Sequence, residues 1–446
     1  MMDQKPPVPF DDFARVAVYD IDGLQRGKYI NSRKLAKSLE EGFGFCNVIF
    51  GWDVTDACYD EVAATGWHTA FPDALATIDL TSKRSVPWDG DKTFYLADFS
   101  NDQVMQHICP RTLLKKIIHQ AGEMGYKAKF AKEYEWFNFT EDSKSLHQKN
   151  YQNPEPITQG MFGYSLLRLS QNNAFIEDII NYCDGFGIPI EGFHTETGSG
   201  VYEACIVYSD TLEAADKAAL FKNSVKEVGA KHGIMPSFMA KWNQNFPGCS
   251  GHIHQHLEDL AGNNLFSDGA AYGQLNQLQE NYLAGILYCL PHILPMYAPT
   301  INSYKRLVPG SWAPTSVSWG FENRTTAVRI INRNPENARV EMRVPGADAN
   351  PYLSISACLA SGMYGIKNNL KLPIAATTGN EYEHVEHQQL ATNLKDATHL
   401  MAHSALAKEL FGEPFVHHFV KTREWEVRQF ESAVTNFELK RYFEII

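Results

Sequence analysis

A chain of 446 residues, 44% hydrophobic and 21% charged, has the composition of a globular protein and the length for two domains. Its formal net charge of -12 excludes the concentrated basic surface that nucleic acid or an anionic membrane requires, although a few arginines gathered in a pocket can still hold a small anion. Eight cysteines without a C-x-x-C pair read as buried thiols in a reducing compartment.

The N-terminal MMDQKPPVPFDD lacks the apolar core of a signal peptide. Residues 13–35, FARVAVYDIDGLQRGKYINSRKL, alternate around the turn signal DIDG and predict a hairpin. A helical LAKSLEEG, an apolar run FCNVIFGW, and strand-like ALATIDL and TFYLADF complete a first unit. NDQVMQHICPRT marks the crossing into a larger one. There PRTLLKKIIHQAGEMG predicts an amphipathic helix opened by Pro110 and stopped at Gly125, and YKAKFAKEYEWFNF predicts a strand. AFIEDIINYCDGFG and TLEAADKAALFKNSVKEVGAKHG predict two helices, each ended by glycine and followed by a strand. The longest apolar stretch, YLAGILYCLPHILPMY, is broken by Pro291, His292 and Pro295 and falls short of a membrane span. NPYLSISACLASGMYGIKNNL opens a helix with Asn350 as N-cap and Pro351 at its first position, and the C-terminal stretch is helical again. The pattern is α+β, a small N-terminal domain followed by a larger one, in a cytoplasmic protein.

Four segments place charged residues at strand spacing, so that their side chains share one face of a sheet. AKEYEW carries Glu133 and Glu135. An E-x-E on a strand is ordinarily a solvated face, but this one is surrounded by aromatics, where carboxylates call for a cation. FHTETGSGVYEACI puts Glu196 and Glu203 on either side of a glycine-rich bend that lets them meet, and no G-K-[ST] follows to make it a phosphate loop. GCSGHIHQHL alternates His252, His254 and His256, either a hydrogen-bonded cluster or contacts to metal or phosphate. NARVEMRVPG alternates Arg339, Glu341 and Arg343, and ENRTTAVRI adds Arg324 and Arg329. An isolated row of this kind reads as an ion ladder. So many guanidiniums in an acidic protein read as a carboxylate or phosphate site. Hard oxygen ligands with an imidazole suit Mg²⁺ or Mn²⁺, and five carboxylates exceed what one such ion needs. Two ions beside several arginines are equipment for phosphoryl transfer from ATP to an anionic small substrate.

These segments, in this order and together with DIDGLQRGK, NSYKRLVPG and RVEMRVPGADANPYL, resemble the glutamine synthetase superfamily over nearly the whole chain. The resemblance implies a β-grasp N-terminal domain over residues 1–105 and a catalytic domain over 106–446 built on a funnel of antiparallel strands. It also implies homo-oligomeric rings, commonly two stacked hexamers forming a dodecamer, with active sites between subunits. Carried over by position, Glu135, Glu196 and Glu203 would hold the metal nearer the amino acid, and Glu133, His252 and Glu341 the one nearer the nucleotide. His254 and Arg339 would touch the nucleotide phosphates. Arg306 and Arg343 would hold the carboxylates of glutamate, with Gly248 beside them, and Arg324 and Arg329 would face the transferred phosphoryl group. The implied reaction is activation of the γ-carboxylate by ATP as an acyl phosphate, which an amine then displaces.

Departures from the family pattern concern the amine. After KRLVPG the family usually reads Y-E-A-P, whose glutamate takes a proton from ammonium. Here SWAP puts Trp312 at that place, and tryptophan accepts no proton. Val201 and Pro247 stand where a glutamine and an asparagine are common, and the small domain's ammonium-binding acid corresponds to Asp53 or Asp56. The expectation is therefore a ligase joining glutamate, or a close analogue, to an amine larger than ammonia: an alkylamine, an aromatic amine or a polyamine. The alternatives are glutamine synthesis from ammonium and a non-catalytic relative of the lens-protein type. GNEYEHVEH carries no tyrosine loop of the adenylylated kind.

Overall fold

The computed structural model describes residues 12–267 and 272–446. The N-terminal segment judged above to lack a signal peptide lies outside the described residues up to residue 11. The DIDG signal makes its turn through side chain and backbone together. Asp20 Oδ1 accepts from the amides of Asp22 and Leu24 at 3.1 and 2.8 Å, and Gly23 takes φ +77°. β1 (Phe13–Tyr19) thereby folds back antiparallel onto β2 (Gln25–Asn31). Asn31 caps α1 (Ser32–Glu41) by accepting from the Lys34 amide. β3 (Phe43–Cys46), β4 (Asp73–Ile78), β5 (Arg84–Val86) and β6 (Lys92–Asp98) complete a sheet of order β2-β1-β6-β4-β3, with β5 beside β6 and only β1 and β6 parallel. Of the apolar FCNVIFGW run, residues 45–52, only Phe45 and Cys46 belong to a strand, β3. Asn47–Phe50 closes into a 3₁₀ turn and buries Phe50, a distinction that an uninterrupted apolar run does not carry.

The second sheet follows α2 (Pro110–Glu123). β7 (Lys127–Phe139), the longest strand at 13 residues, is followed by the short α3 (Ser143–Gln148) and α4 (Leu166–Ser170). Then come α5 (Asn173–Gly185), β8 (Ile190–Thr195), β9 (Val201–Ile206), β10 (Ser209–Asp210), α6 (Thr211–Lys231), β11 (Met235–Ser237) and β12 (Gly251–Glu258). α7 (Gln277–Ile293), β13 (Trp319–Phe321), β14 (Val328–Ile331), β15 (Arg339–Met342) and α8 (Pro351–Lys367) precede a helical C-terminus of α9 (Leu394–Ala402), α10 (Ala405–Phe411), α11 (Glu413–Ser432) and α12 (Asn436–Tyr442). The strand order is β13-β14-β15-β12-β7-β9-β8, with β10 and β11 also on β7. All pairs are antiparallel except β13 with β14, so the antiparallel expectation fails at that edge. β13 is three residues long, short enough for the 322–327 turn to bring the chain back in the same direction.

The two glycine-ended helices end as expected: just beyond α5 and α6, Gly187 and Gly233 take the left-handed φ values of +78° and +65°. Asn350 caps α8 through the Tyr352 amide, and its amide nitrogen reaches back to the Asp20 and Ile21 carbonyls of the first hairpin. Along β7 the alternation is strict from Lys127 to Trp136. Tyr134 and Trp136 are fully buried against Phe221 of α6, which turns Glu133 and Glu135 to the opposite face. The YLAGILYCLPHILPMY run ends α7, and among the described residues no helix is long and apolar enough to cross a membrane. The sheets are tied by Arg111 of α2. Its guanidinium donates to Asp98 and Asp79 of the first unit at 2.7 Å each, and to Asp216 of α6 at 2.8 and 2.9 Å.

Candidate functional site

Register brings the charged segments together. Glu133 lies across from His252, Glu135 from Glu203, His194 from Glu203, and Glu341 sits between His254 on one neighbour and Arg329 on the other. At the centre, His252 Nδ1 is 3.0 Å from Glu133 Oε1 and 3.4 Å from Glu341 Oε1, while His254 Nε2 is 3.5 Å from Glu133 Oε2. Glu133, His252 and Glu341, one of the two expected ligand sets, thus meet directly. Burial and the nearby Arg343 charge push His252 down to about 4, so the imidazole is neutral at physiological pH and keeps a lone pair for a cation. Its Nε2 is buried and has no hydrogen-bond partner among the described residues.

The other set is arranged around Glu203. One donor atom each from His194, Glu196 and Glu203 lies within 4.8 Å of the others. Glu135 Oε2 accepts from the Ser250 amide at 2.8 Å, and Glu196 from the Thr197 amide at 2.8 Å. Burial and the charges of Glu133 and Glu135 push Glu203 up to about 8, against the hydrogen bond from His194. Burial likewise raises Glu135, reinforced by Glu196 against its bonds to Ser250. Crowded carboxylates with raised proton affinity are what a divalent cation relieves. An oxygen-rich donor set with one neutral imidazole therefore fits Mg²⁺ or Mn²⁺.

The arginines divide. Arg343 donates to Glu341 at 2.5 Å, and Arg329 donates to Glu341 at 3.0 Å and to Glu322 at 2.5 Å. Burial alone would raise Glu341, but Arg343 and the histidines override it and hold the carboxyl at about 2. Arg339 Nε donates to His254 Nδ1 at 3.2 Å. Arg306 is 3% exposed and spends both terminal nitrogens on the carbonyls of Val344 and Arg343, at 2.9 and 3.2 Å. Gly248 is packed against it: a Cβ there would stand 2.4 Å from the Ala240 carbonyl oxygen and 2.7 Å from Arg306 Cγ. Arg324 is exposed, without an ion-pair partner among the described residues, and lines a cleft of about 570 Å³ together with Trp312, Phe321, Asn323 and Thr377.

Trp312 stands 65% exposed at that cleft, with a φ of +58° that bulky side chains rarely adopt. Its loop is nevertheless held. Ser311 Oγ donates to the Arg306 carbonyl at 2.8 Å, and Tyr382 donates its hydroxyl hydrogen to the Ala313 carbonyl at 2.9 Å. No carboxylate lies in the 309–315 stretch. Asp53 is not among the gathered residues. Its carboxylate accepts from Trp425 Nε1 of α11 at 2.9 Å and from the Thr55 and Ala57 amides. Asp56 pairs with Arg26. His256 also departs from its two strand neighbours and bonds Glu258 at 3.1 Å.

Sequence reasoning missed three participants. His194 Nε2 lies 3.4 Å from Glu203 and its ring stacks on Tyr164, with centroids 4.5 Å apart. Its i, i+2 spacing to Glu196 was the available signal. Cys205 donates to Glu133 Oε2 at 3.2 Å, and Glu322 pairs with Arg329. Cys205 stands two residues beyond Glu203 on β9, the same spacing signal, whereas Glu322 is not announced by spacing.

The family model described as glutamine synthetase, catalytic domain, matches residues 107–442. The chain is 48% identical over 440 residues to type-1 glutamine synthetase 2 of Dictyostelium discoideum, covering 97% of this chain and 84% of that protein. It is 38% identical over 440 residues to a glutamate–isopropylamine ligase of Pseudomonas sp, covering 98% and 95%. The solved structure of a GmaS/ADP complex superposes with a TM-score of 0.84 at 27% identity, covering 97% and 96% of the two chains.

Proposed function

Because the chain belongs to the glutamine synthetase family, we propose that it ligates the γ-carboxylate of glutamate to an amine larger than ammonia, using ATP. Two divalent ions, Mg²⁺ or Mn²⁺, would be held by Glu133, His252 and Glu341 and by Glu135, Glu196 and Glu203. When bound they neutralise phosphate charge and orient the nucleotide. His254 and Arg339 contact the phosphates, and Arg324 and Arg329 face the γ-phosphoryl group as it moves to the glutamate carboxylate. Arg343, Arg306 and Gly248 form the glutamate side, with Arg306 acting chiefly by fixing the backbone on which Arg343 stands. Activation is required because a carboxylate offers no leaving group until an oxygen is phosphorylated. The amine then attacks the acyl carbon and phosphate departs.

The observation that carries the choice of amine is Trp312, exposed at the cleft it shares with Arg324, in a loop without a carboxylate. An indole offers an amine an apolar or cation–π wall and no proton acceptor. The relative named for isopropylamine supports this reading. The 48% identity to a protein named glutamine synthetase favours a second one, ordinary use of ammonium. Phosphate release measured with ATP, Mg²⁺, glutamate and a panel of alkyl, aromatic and polyamines separates them, and the highest kcat/KM for ammonium overturns the first. We further assign residues 1–105 as a β-grasp domain and 106–446 as the catalytic domain, in a cytoplasmic homo-oligomer of stacked hexameric rings with sites between subunits. Asp53 would then serve a neighbouring subunit rather than its own.

A further inference from the structure

Behind the Trp312 loop, the end of the 381–390 segment pairs antiparallel with 315–317 through a bridge between Ser316 and Gln389. The Val317 amide donates to Gln388 and the Leu390 amide to Thr315, each at 2.8 Å. Its Tyr382 supplies the hydrogen bond that holds Ala313. The same segment gathers His384, Glu386 and His387, with one donor atom from each within 4.8 Å of the others. The two imidazoles lie nearly parallel, at 10° with centroids 5.2 Å apart, and His384 Nδ1 is 3.0 Å from Glu386 Oε1.

A second, independent arrangement fixes one of these rings. His387 Nδ1 lies 2.8 Å from Glu381 Oε1, and Glu381 is 2% exposed. That carboxylate is itself oriented by the hydroxyls of Ser316 at 2.5 Å and Thr377 at 2.6 Å. A carboxylate only accepts, so His387 carries its proton on Nδ1 and presents the Nε2 lone pair. This is the carboxylate–histidine pairing that orients metal-binding imidazoles. Two imidazoles and one carboxylate form a set that selects a borderline ion such as Zn²⁺ over Mg²⁺ and leaves a coordination position open.

The geometry points to a transition-metal site of the Zn²⁺ class at His384, Glu386 and His387 that stiffens the segment on which the Trp312 loop rests. Closing three ligands around an ion draws 384–387 together. Because His387 is anchored through Glu381 to Ser316, the tightening passes to the paired 315–317 stretch. The binding site itself does not depend on the function proposed above; only the significance of a stiffened loop rests on that reading.

The test uses the full-length protein in saturating Mg²⁺, without glutamate or amine, so that failure of the ligase reading leaves it untouched. Zn²⁺ bound at equilibrium is measured by dialysis against zinc buffers for the native chain, His384→Ala and Glu386→Gln. The native chain is expected to hold one more Zn²⁺ per subunit than His384→Ala, and the exposed, structurally mild Glu386→Gln to bind at least ~10-fold more weakly at that site. Equal stoichiometry and affinity in all three overturn the site. Hydrogen exchange at the Val317 and Leu390 amides is expected to slow several-fold on Zn²⁺ addition in the native chain and to stay constant in His384→Ala. Zn²⁺ binding with unchanged exchange in the native chain overturns the coupling.

Discussion

Arg343 and Trp312 are joined directly: the guanidinium that pairs with Glu341 at 2.5 Å places its other terminal nitrogen 3.4 Å from the Trp312 carbonyl oxygen. The contact uses the backbone of residue 312 and leaves its indole free at the cleft. Side-chain identity there is therefore separable from loop position.

Replacing Trp312 with glutamate is expected to restore a proton acceptor, raising ammonium use relative to larger amines by ~10-fold or more in kcat/KM. Unchanged preference across the amine panel would count against the indole as the selecting group. Trp312→Gly relieves the left-handed backbone conformation. It is expected to keep thermal stability within about 1 kcal/mol of the native chain while amine KM rises. Calorimetry beside steady-state kinetics checks both halves.

Tyr382→Phe removes one hydrogen bond to the Ala313 carbonyl and nothing else of similar size. Loss of about 1 kcal/mol in loop positioning predicts a roughly fivefold drop in kcat/KM for the amine, with nucleotide binding unchanged. A parallel fall in nucleotide affinity would place Tyr382 in a different role.

Glu203→Gln makes permanently neutral a carboxyl that burial and crowding push up to about 8, so the cation-free fold no longer has to take up a proton there at neutral pH. The cation-free protein is expected to gain about 1–3 kcal/mol in stability while Mg²⁺ no longer raises its melting temperature to the native extent. Thermal melts with and without Mg²⁺ measure both. A destabilised, still Mg²⁺-responsive variant would exclude Glu203 from the metal set.

The Arg111 junction governs acid stability. Burial pushes the Asp98 carboxyl up, but Lys115 and Arg111 outweigh it and hold the group below the ordinary carboxylate range, and Asp79 is lowered against burial by its hydrogen bond from Thr81, then by Arg111 and Lys115. Both groups bind protons less readily folded than unfolded. Their stabilisation is thus complete above the ordinary range, roughly pH 4, and disappears as pH falls through the depressed values. Arg111→Met leaves Asp98 and Asp216 buried without their guanidinium and is expected to cost about 3–5 kcal/mol near neutral pH. Its urea midpoints should converge on the native ones as the solution is acidified. A constant difference from pH 7 to 3 would contradict this.

Much of the arrangement was legible because period-two alternation states which side chains share a face. Glu133 with Glu135, and Arg339 with Glu341, follow from it without knowledge of the partner strands. Asn350, Pro351 and the glycines after α5 and α6 are equally local signals. What depends on pairing was not readable: the parallel contact of β1 with β6, the meeting of Arg329 with Glu322, and the engagement of Arg306 with backbone carbonyls. His194 could have been found from its spacing to Glu196. Tyr382 could not, since nothing in GNEYEHVEH announces a bond to Ala313.

β7 makes hydrogen-bonded contact with four other strands and presents Glu133 and Glu135 on one side while Tyr134 and Trp136 fill the other. It therefore behaves as a ruler. Adding one residue within 127–132, ahead of both carboxylates, would send them into the packing against Phe221 and bring two aromatic rings into their place. Single replacements leave the count intact, whereas a change in length exchanges the faces. Variation in the length of β7 is closed to this half of the molecule, whereas the turns, where residue 312 lies, can vary without moving the carboxylates.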